Sequence, residues 1–141
     1  MIHIHEAPPP SRLAEAAPAY APGVCNIGPA EIAMRRRGGH LGLVATAGLL
    51  AGLLAARAPR AVRMVVALPA AASASGYLQA RSRFCAGFGS RGVFNFGELG
   101  HVLPVADEDA RARDRAKARR IGLASLAIGL GVGIAALALP R

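Results

Sequence analysis

Two cysteines are the residues best suited to chemistry in this chain. Cys25 precedes the first long apolar stretch, and Cys85 follows the second. If both positions lie at one end of the fold, the two thiols could meet and form a redox-active or sulfur-handling pair. A metal site that adds His40 or His101 is a second alternative, although no C-x-x-C or H-x-x-x-H spacing supports it. Inert thiols at a membrane interface are the simplest interpretation.

The phenylalanines are concentrated around Cys85. All four lie within 13 residues and alternate with glycines, namely Phe84, Phe88, Phe94 and Phe96. Aromatic rings prefer the membrane interface and glycines disfavour a helix, so we expect a turn-rich segment folded over one end of a bundle. A pocket for a lipid or a hydrophobic cofactor is the alternative. The G-x-G-x-x-G letters between Gly87 and Gly92 do not indicate a phosphate-binding loop, because no strand precedes them.

Three long apolar stretches must position these residues. They contain no Asp, Glu, Lys or Arg and run Gly38–Ala56, Met64–Ala80 and Ile121–Pro140. A bilayer core of about 30 Å requires roughly 20 apolar residues in helical form, because backbone polar groups in lipid must be paired internally. The predicted fold is therefore all-α, an integral membrane bundle of three transmembrane helices. The absence of ionisable residues within the stretches argues against a pump or a secondary transporter.

The rest of the sequence predicts the connecting segments. Pro29 favours a helix start and Glu31 suits the positive end of that helix, so a short interfacial helix is expected before the first span. Acidic residues precede basic ones in 107–120, and alanines fill the other positions, which predicts a solvated helical stalk. The predicted units are a flexible Pro/Ala-rich tail with His3 and His5 (1–24), an interfacial segment (25–39), a two-helix transmembrane hairpin (40–80), a cytoplasmic Gly/Phe-rich loop with the charged helix (81–120) and the third transmembrane helix (121–139).

Charge is distributed along the membrane boundaries. The formal net charge is +9, but most basic residues lie near the ends of the apolar stretches, where they set topology and meet anionic head groups. This placement favours a lipid bilayer over nucleic acid as the partner. The side of the N-terminus and the long loop carries 13 Lys and Arg residues against four on the other side. We therefore expect a multi-pass inner-membrane protein with its N-terminus cytoplasmic and its C-terminus outside, although Arg57, Arg60 and Arg63 oppose this orientation.

Small residues recur at helix-contact spacing inside the predicted spans. The first span contains Gly48-x-x-x-Gly52 and the third contains Gly129-x-x-x-Gly133. Residues four apart share one helix face, so these glycines are predicted to let a neighbouring backbone approach closely.

The approach to the first span resembles a known family. The residues Asn26, Gly28, Glu31, Arg35 and Gly39 follow the spacing N-x-G-x-x-D-R-x-x-R-x-x-x-G, with Glu in place of Asp. This pattern is similar to the opening of a family of small bacterial inner-membrane two-helix hairpins, which also occur as membrane tails of some rhodaneses. The resemblance covers about residues 25–88 and includes the cysteine after the hairpin, whereas the arginine expected directly after the acid is absent. It implies a membrane hairpin and no particular activity.

The function predicted from these features is non-enzymatic. The sequence shows no catalytic triad, paired catalytic carboxylates or phosphate-binding loop, and it indicates no cofactor. We expect a small accessory, anchor or assembly subunit of a larger membrane complex, with other membrane subunits or copies of itself as partners. The alternative is a redox or sulfur-handling membrane protein that uses Cys25 and Cys85.

Overall fold

The fold is a helical bundle with a small folded unit at one end. The computed structural model describes residues 19–140. Its elements in chain order are α1 (Pro29–Ala55), α2 (Arg60–Arg63), a 3₁₀ helix (Met64–Val66), α3 (Ala67–Ser82), α4 (Ala86–Arg91), β1 (Val93–Phe94), β2 (Leu103–Pro104) and α5 (Glu108–Ala138). Because α2, the 3₁₀ helix and α3 form one helical rod, three helices are long and apolar enough to cross a membrane. The predicted all-α bundle is confirmed.

The first helix is longer than predicted. α1 is uninterrupted, so the segment expected as a separate interfacial helix forms its first turns instead. Pro29 starts the helix, where its missing N–H costs no hydrogen bond. Glu31 and Gly39 are buried against other parts of the chain, and this packing holds the first turns in line with the span.

The second span carries a local irregularity next to a proline. Pro69 has no N–H to donate to the carbonyl four residues earlier, and the preceding Met64–Val66 adopts the tighter 3₁₀ geometry. The connection before this span turns sharply at Arg57, whose φ of 52° lies in the left-handed region. The rod then continues as regular α3 up to Ser82.

α3 is the central helix of the bundle. It packs against both α1 and α5, which have almost no contact with each other. We call one end of the bundle the loop end; it contains Tyr20–Gly28, α4, the β1–β2 hairpin and the first turns of α5. The opposite end, the turn end, contains the connection 56–59 and the last residues of α5.

α1 packs on α3 with the two helix backbones in close contact. A Cβ added at Gly76 would lie 2.6 Å from the Gly39 nitrogen, and one added at Gly42 would lie 2.8 Å from the Ser73 backbone. The Ser73 hydroxyl donates a hydrogen bond of 2.8 Å to the Gly39 carbonyl between the helices. Such close approach is possible only where one partner lacks a side chain, and it brings additional atoms into van der Waals contact.

The predicted glycine contacts occur in only one of the two spans. On α5, a Cβ added at Gly129 would lie 2.6 Å from the Ala67 oxygen, and one added at Gly133 would lie 2.9 Å from the Met64 sulfur. On α1, a Cβ added at Gly48 or Gly52 would meet no atom of residues 19–140 within 4 Å. The prediction that Gly48 and Gly52 pack within the bundle is therefore wrong, because α1 meets α3 nearer the loop end.

Large apolar side chains cover the outside of the bundle. The most exposed ones on the long helices are Leu41, Val44, Leu68, Leu123, Leu126 and Ile134. A surface of this kind is costly in water and favourable in hydrocarbon. Its position on all three long helices fits a multi-pass membrane protein.

The loop end is more ordered than the sequence indicates. Ala86–Arg91 forms the short helix α4 despite its glycines, and Gly92 ends that helix at a φ of 68°. β1 and β2 then pair as a two-stranded antiparallel hairpin. The predicted turn-rich segment is thus partly a helix, stabilised because one face of α4 packs against α5.

The charged helix is confirmed as a direct extension of the third span, but it is not solvated on all sides. Ala110, Asp114 and Ala118 are buried on one face of α5. Gly89 makes this packing possible, since a Cβ there would lie 3.0 Å from the Asp114 carbonyl oxygen. The small side chains that offered no apolar face for lipid instead let α4 approach closely.

Candidate functional site

The candidate residues before the first span converge on the loop end. Asn26 is fully buried, and its side chain bonds to both backbone groups of Cys85. Its Oδ1 accepts from the Cys85 nitrogen at 2.7 Å, and its Nδ2 donates to the Cys85 carbonyl at 3.1 Å. The Asn26 backbone nitrogen also donates to the Arg83 carbonyl at 3.1 Å. This side chain therefore joins the N-terminal segment to the exit of α3.

A second buried asparagine, Asn95 of the hairpin, extends this network. Its backbone nitrogen donates to Asn26, and its carbonyl accepts from the Gly28 nitrogen at 2.8 Å. Its side-chain nitrogen donates to the Glu31 carboxylate at 3.3 Å and to the Glu98 carbonyl at 2.8 Å. Buried amides are stabilised when their donors and acceptors are paired, and both asparagines meet this condition.

Only a glycine fits at position 28, because the backbone at Phe96 lies too close to leave room for a side chain. A Cβ added there would lie 2.8 Å from the Phe96 carbonyl oxygen. Because the neighbour is backbone, it cannot move aside as a flexible side chain does. The hairpin therefore lies directly against the start of α1.

Arg35 links the carboxylate of Glu31 to the thiol of Cys85. Its Nη2 is 3.4 Å from Glu31 Oε2 and donates to Cys85 Sγ at 3.0 Å. Its guanidinium carbon lies 5.9 Å from the centre of the Phe88 ring. The Nε of Arg35 is buried with no hydrogen-bond partner among residues 19–140. The guanidinium therefore joins the first turns of α1 to the residue that follows α3.

The two cysteines are free and have different partners. Cys25 Sγ donates to the Ala19 carbonyl at 3.3 Å, whereas Cys85 Sγ accepts from Arg35. Cys85 is buried and Cys25 is half-buried. The structure thus brings both cysteines to one end, as predicted, but it does not join them in a disulfide.

The histidines considered as metal ligands lie in other contacts. His40 Nδ1 is 2.6 Å from the Tyr77 hydroxyl, and the two rings meet edge to face. The His101 backbone donates to the Glu98 carbonyl in the hairpin. Within the part of the chain that the structure describes, no group of three or more His, Cys, Asp or Glu residues is placed to hold a metal ion. His3 and His5 lie outside the described residues.

The four phenylalanines separate into two buried rings and two partly exposed rings. Phe84 packs with Ala118 and Ile121 of α5, and Phe88 packs with Ile27 and Cys85. Both rings are buried between α4 and its neighbours at the loop end, and their placement at the membrane interface stays a prediction.

The two rings of the hairpin remain closer to the surface. Phe94 stacks on Tyr20 at 4.8 Å between ring centres, and Phe96 lies 6.2 Å from Phe94. The four rings therefore stabilise separate contacts and do not line one common cavity. The alternative of a cofactor pocket formed by these rings is not supported by this arrangement.

The end of the predicted tail is attached to the charged helix. Asp114 is fully buried and accepts from the Tyr20 hydroxyl at 2.8 Å and from the Gly23 nitrogen at 2.7 Å. Burial and this hydrogen bond to a carboxylate raise the pKa of Tyr20 above its ordinary value. Residues 19–24 therefore form a bonded turn, and most of the predicted tail (1–18) lies outside the described residues.

At the turn end, Arg63 has a structural role that the sequence did not reveal. It is fully buried, and its Nη1 donates to the carbonyls of Leu139 at 2.9 Å and Pro140 at 3.3 Å. Its Nε donates to the Ala58 carbonyl at 3.3 Å. A cation at the C-terminus of a helix is favourable because the last carbonyls are unpaired and carry partial negative charge.

Three residues of these networks were missed in the sequence: Asn95, Asp114 and Arg63. Asp114 carried a usable signal, since it is the one acid among the six basic residues of 111–120. Asn95 and Arg63 carried none, because an asparagine in a glycine-rich loop and an arginine at a span end are both ordinary.

No protein-family model, curated protein or solved structure matches this chain. The family resemblance of residues 25–88 therefore remains a prediction.

Proposed function

We propose that this protein is a non-catalytic accessory, anchor or assembly subunit of a larger complex in the bacterial inner membrane. The uncovered middle of α1 carries this proposal. Gly48 and Gly52 lie on that helix with open space around them, whereas the equivalent pair on α5 is packed. Only 11% of the apolar window of α1 is buried, against 39% for the rod that contains α3.

The chemistry of this surface favours another helix as its partner. Glycines four residues apart form a shallow groove, which in a bilayer is a frequent site of helix association. Such a contact gains van der Waals energy because the two backbones approach closely. The partner is either a different membrane subunit or a second copy of this chain.

The proposed orientation places the loop end in the cytoplasm. It follows from the 13 basic residues on the N-terminal side and the loop, against four on the other side. Burial of Arg63 reduces the opposing signal, because its charge is stabilised by the end of α5 rather than left at the surface. Labelling of Cys25 or of an introduced cysteine at Ala138 in inside-out and right-side-out vesicles would determine the orientation.

We also infer that residues 25–88 form a hairpin unit related to the bacterial family named above. The support is that each residue of the spacing pattern has a contact within the unit or with its loop. Asn26 and Arg35 bond Cys85, Gly28 approaches Phe96, and Gly39 approaches Gly76.

Replacement of both α1 glycines tests the accessory role. The variant Gly48→Ile/Gly52→Ile is expected to lose its co-purifying subunit, or its oligomer, after purification in mild detergent. Gly131→Ile is the matched control, since Gly131 is also in a span and open on all sides. The proposal is wrong if the wild-type chain always purifies alone as a monomer, or if the double variant keeps its partner.

A redox or sulfur-handling protein is the second candidate function. The observation that favours it is the Arg35 hydrogen bond to Cys85 Sγ at 3.0 Å. The variants Cys25→Ser and Cys85→Ser are then expected to fail to complement a deletion strain, and Arg35→Gln is expected to complement it only in part. Full complementation by the Cys25→Ser/Cys85→Ser double variant would exclude this function.

A further inference from the structure

A groove runs along the side of the bundle between α3 and α5. Its inner part has a volume of about 390 Å³ and lies over α3, with α1 and α5 as its walls. The lining is apolar apart from a few hydroxyls, and the Thr46 and Ser73 hydroxyls already donate to backbone carbonyls. On α5 the wall is formed by Ile128 and Val132.

The groove continues to a basic outer part at the loop end. This part has a volume of about 380 Å³ and shares Leu78 with the inner part. Its lining, all within the described residues, contains Arg81, Lys117 and Arg120 and no carboxylate. The nearest acid along α5, Asp114, is already bonded to Tyr20 and Gly23.

The two parts form one surface because their residues repeat at helical spacing. On α5 each lining position lies three or four residues from another; the positions are Lys117, Arg120, Ile121, Ala124, Ile128 and Val132. Residues at this spacing share one helix face. The chemistry along this face changes once, from cationic to apolar, at Ile121.

The dimensions of the apolar part match one leaflet of a bilayer. At about 1.5 Å per residue, Ile121 and Val132 are separated by about 16 Å along α5. Half of a hydrocarbon core of about 30 Å is about 15 Å. With about 390 Å³ in its inner part, the groove is small for an α-helix, which is about 10 Å across, so an extended hydrocarbon chain fits better.

We propose that this groove is a binding site for one anionic glycerophospholipid. The phosphate binds at Arg81, Lys117 and Arg120, and one acyl chain lies along the groove from Leu78 to Val132. An anionic head group is favoured over a zwitterionic one because a choline cation would lie beside three cationic side chains. The site depends on the membrane placement proposed above and not on the accessory role.

Native mass spectrometry of the purified full chain tests the site. The protein in mild detergent is mixed with equal amounts of phosphatidylglycerol and phosphatidylcholine that carry identical acyl chains. We expect one phosphatidylglycerol to be retained in preference to phosphatidylcholine. Each of Arg81→Gln and Arg120→Gln is expected to weaken phosphatidylglycerol binding about fivefold and to weaken phosphatidylcholine binding less, so that the preference between the two lipids falls.

Two control variants separate the groove from general surface effects. Arg119→Gln removes the same charge one residue away, from an exposed position outside the lining, and is expected to keep full binding. Ala124→Leu fills the groove and is expected to reduce binding of both lipids, whereas Ala127→Leu on the exposed side of α5 is not. None of these variants changes Gly129 or Gly133, the glycines at which α5 packs closely against the second span.

The outcomes distinguish the possible occupants. Equal losses for Arg119→Gln and Arg120→Gln would overturn the site, as would equal retention of the two lipids. Displacement of the lipid by inorganic phosphate would show a free-anion site, and a dimer in place of the lipid adduct would show a second copy; either result overturns the proposal. Selective retention of phosphatidylglycerol by a protein that purifies as a monomer without a partner would support the lipid site and contradict the accessory role. A chain that does not fractionate with membranes would overturn both.

Discussion

The loop end and the turn end of the bundle each contain an arginine that bonds to other segments of the chain, but the two charges are stabilised by different groups. Arg35 at the loop end faces the buried carboxylate of Glu31 and belongs to a network that also includes Asn26 and Asn95. Arg63 at the turn end has no acidic partner among residues 19–140 and donates instead to the backbone carbonyls of Leu139 and Pro140, directly after α5. The loop end thus distributes its stability over many side chains, whereas the turn end depends on one.

This difference has a physical consequence for substitution. In a network, the loss of one side chain leaves other bonds in place, although each newly unpaired buried group is costly. At a helix C-terminus with a single capping cation, the loss of that cation exposes several carbonyls at once. We therefore expect the single most sensitive residue to lie at the turn end.

The largest effect is expected for Arg63→Ala. The change removes a fully buried side chain and the hydrogen bonds to Leu139, Pro140 and Ala58, which together are expected to lower the free energy of unfolding by about 4 kcal/mol. Chemical unfolding of the protein in detergent, followed by circular dichroism, measures this change. The exposed neighbour Arg60→Ala is the control and is expected to change little. Equal effects of the two variants would contradict the role of Arg63.

The next largest effect is expected at the loop end for Asn26→Ala. It leaves the buried Cys85 N–H unpaired and removes one of the two hydrogen bonds to the Cys85 carbonyl, which still accepts from the Gly89 nitrogen; the change is expected to cost about 3 kcal/mol. The same unfolding experiment measures it, with the exposed Val24→Ala as control. If Asn26→Ala costs as little as Val24→Ala, the network does not stabilise the loop end.

A smaller effect with a defined pH dependence is expected for Tyr20→Phe. The ring and its stacking on Phe94 remain, and the loss of the hydrogen bond to Asp114 is expected to cost about 1.5 kcal/mol at neutral pH. The raised pKa of Tyr20 means that its contribution is full below the ordinary tyrosine value of about 10 and is lost as the pH rises above it. The melting temperatures of wild type and Tyr20→Phe are therefore expected to converge above about pH 10. A gap that stays constant over this range would contradict the assignment.

The smallest effect is expected for Glu108→Gln on the exposed side of α5. The hydrogen bond and charge of Arg115 lower the pKa of Glu108, so its contribution is present above the ordinary glutamate range and is lost as the pH falls. Because the pair is exposed, salt screens it. We expect no measurable change in melting temperature at physiological ionic strength and a small decrease at low salt. A large decrease at high salt would show that this pair is a structural contact.

Hydropathy and charge placement predicted the bundle, since apolar segments of about 20 residues can pair their backbone groups internally in lipid as helices. The same reasoning predicted that the N-terminal segment and Cys85 would share one end. It failed for α4, because local glycine content says nothing about a neighbouring helix against which Phe84 and Phe88 can pack. It also failed for Gly48 and Gly52, since a glycine pair identifies a possible contact and not its partner.

The candidate site was predicted in part. The spacing from Asn26 to Gly39 identified residues that do converge, with Cys85, at the loop end. The partners on the other side, Asn95 and Asp114, came from segments distant in sequence. Their roles depend on which carbonyl or amide lies within hydrogen-bond distance, and sequence spacing does not encode that distance.

The sequence by itself determined the number and approximate position of the apolar helices, because hydrophobic length and the exclusion of charge are properties of each segment alone. It also determined where the basic residues lie relative to these helices. Only the tertiary structure decided which glycines are packed, which arginine is buried and that Lys117 and Arg120 lie beside the apolar groove that begins at Leu78. These features depend on the rotation and position of one helix against another, and those are fixed by contacts among all three helices together.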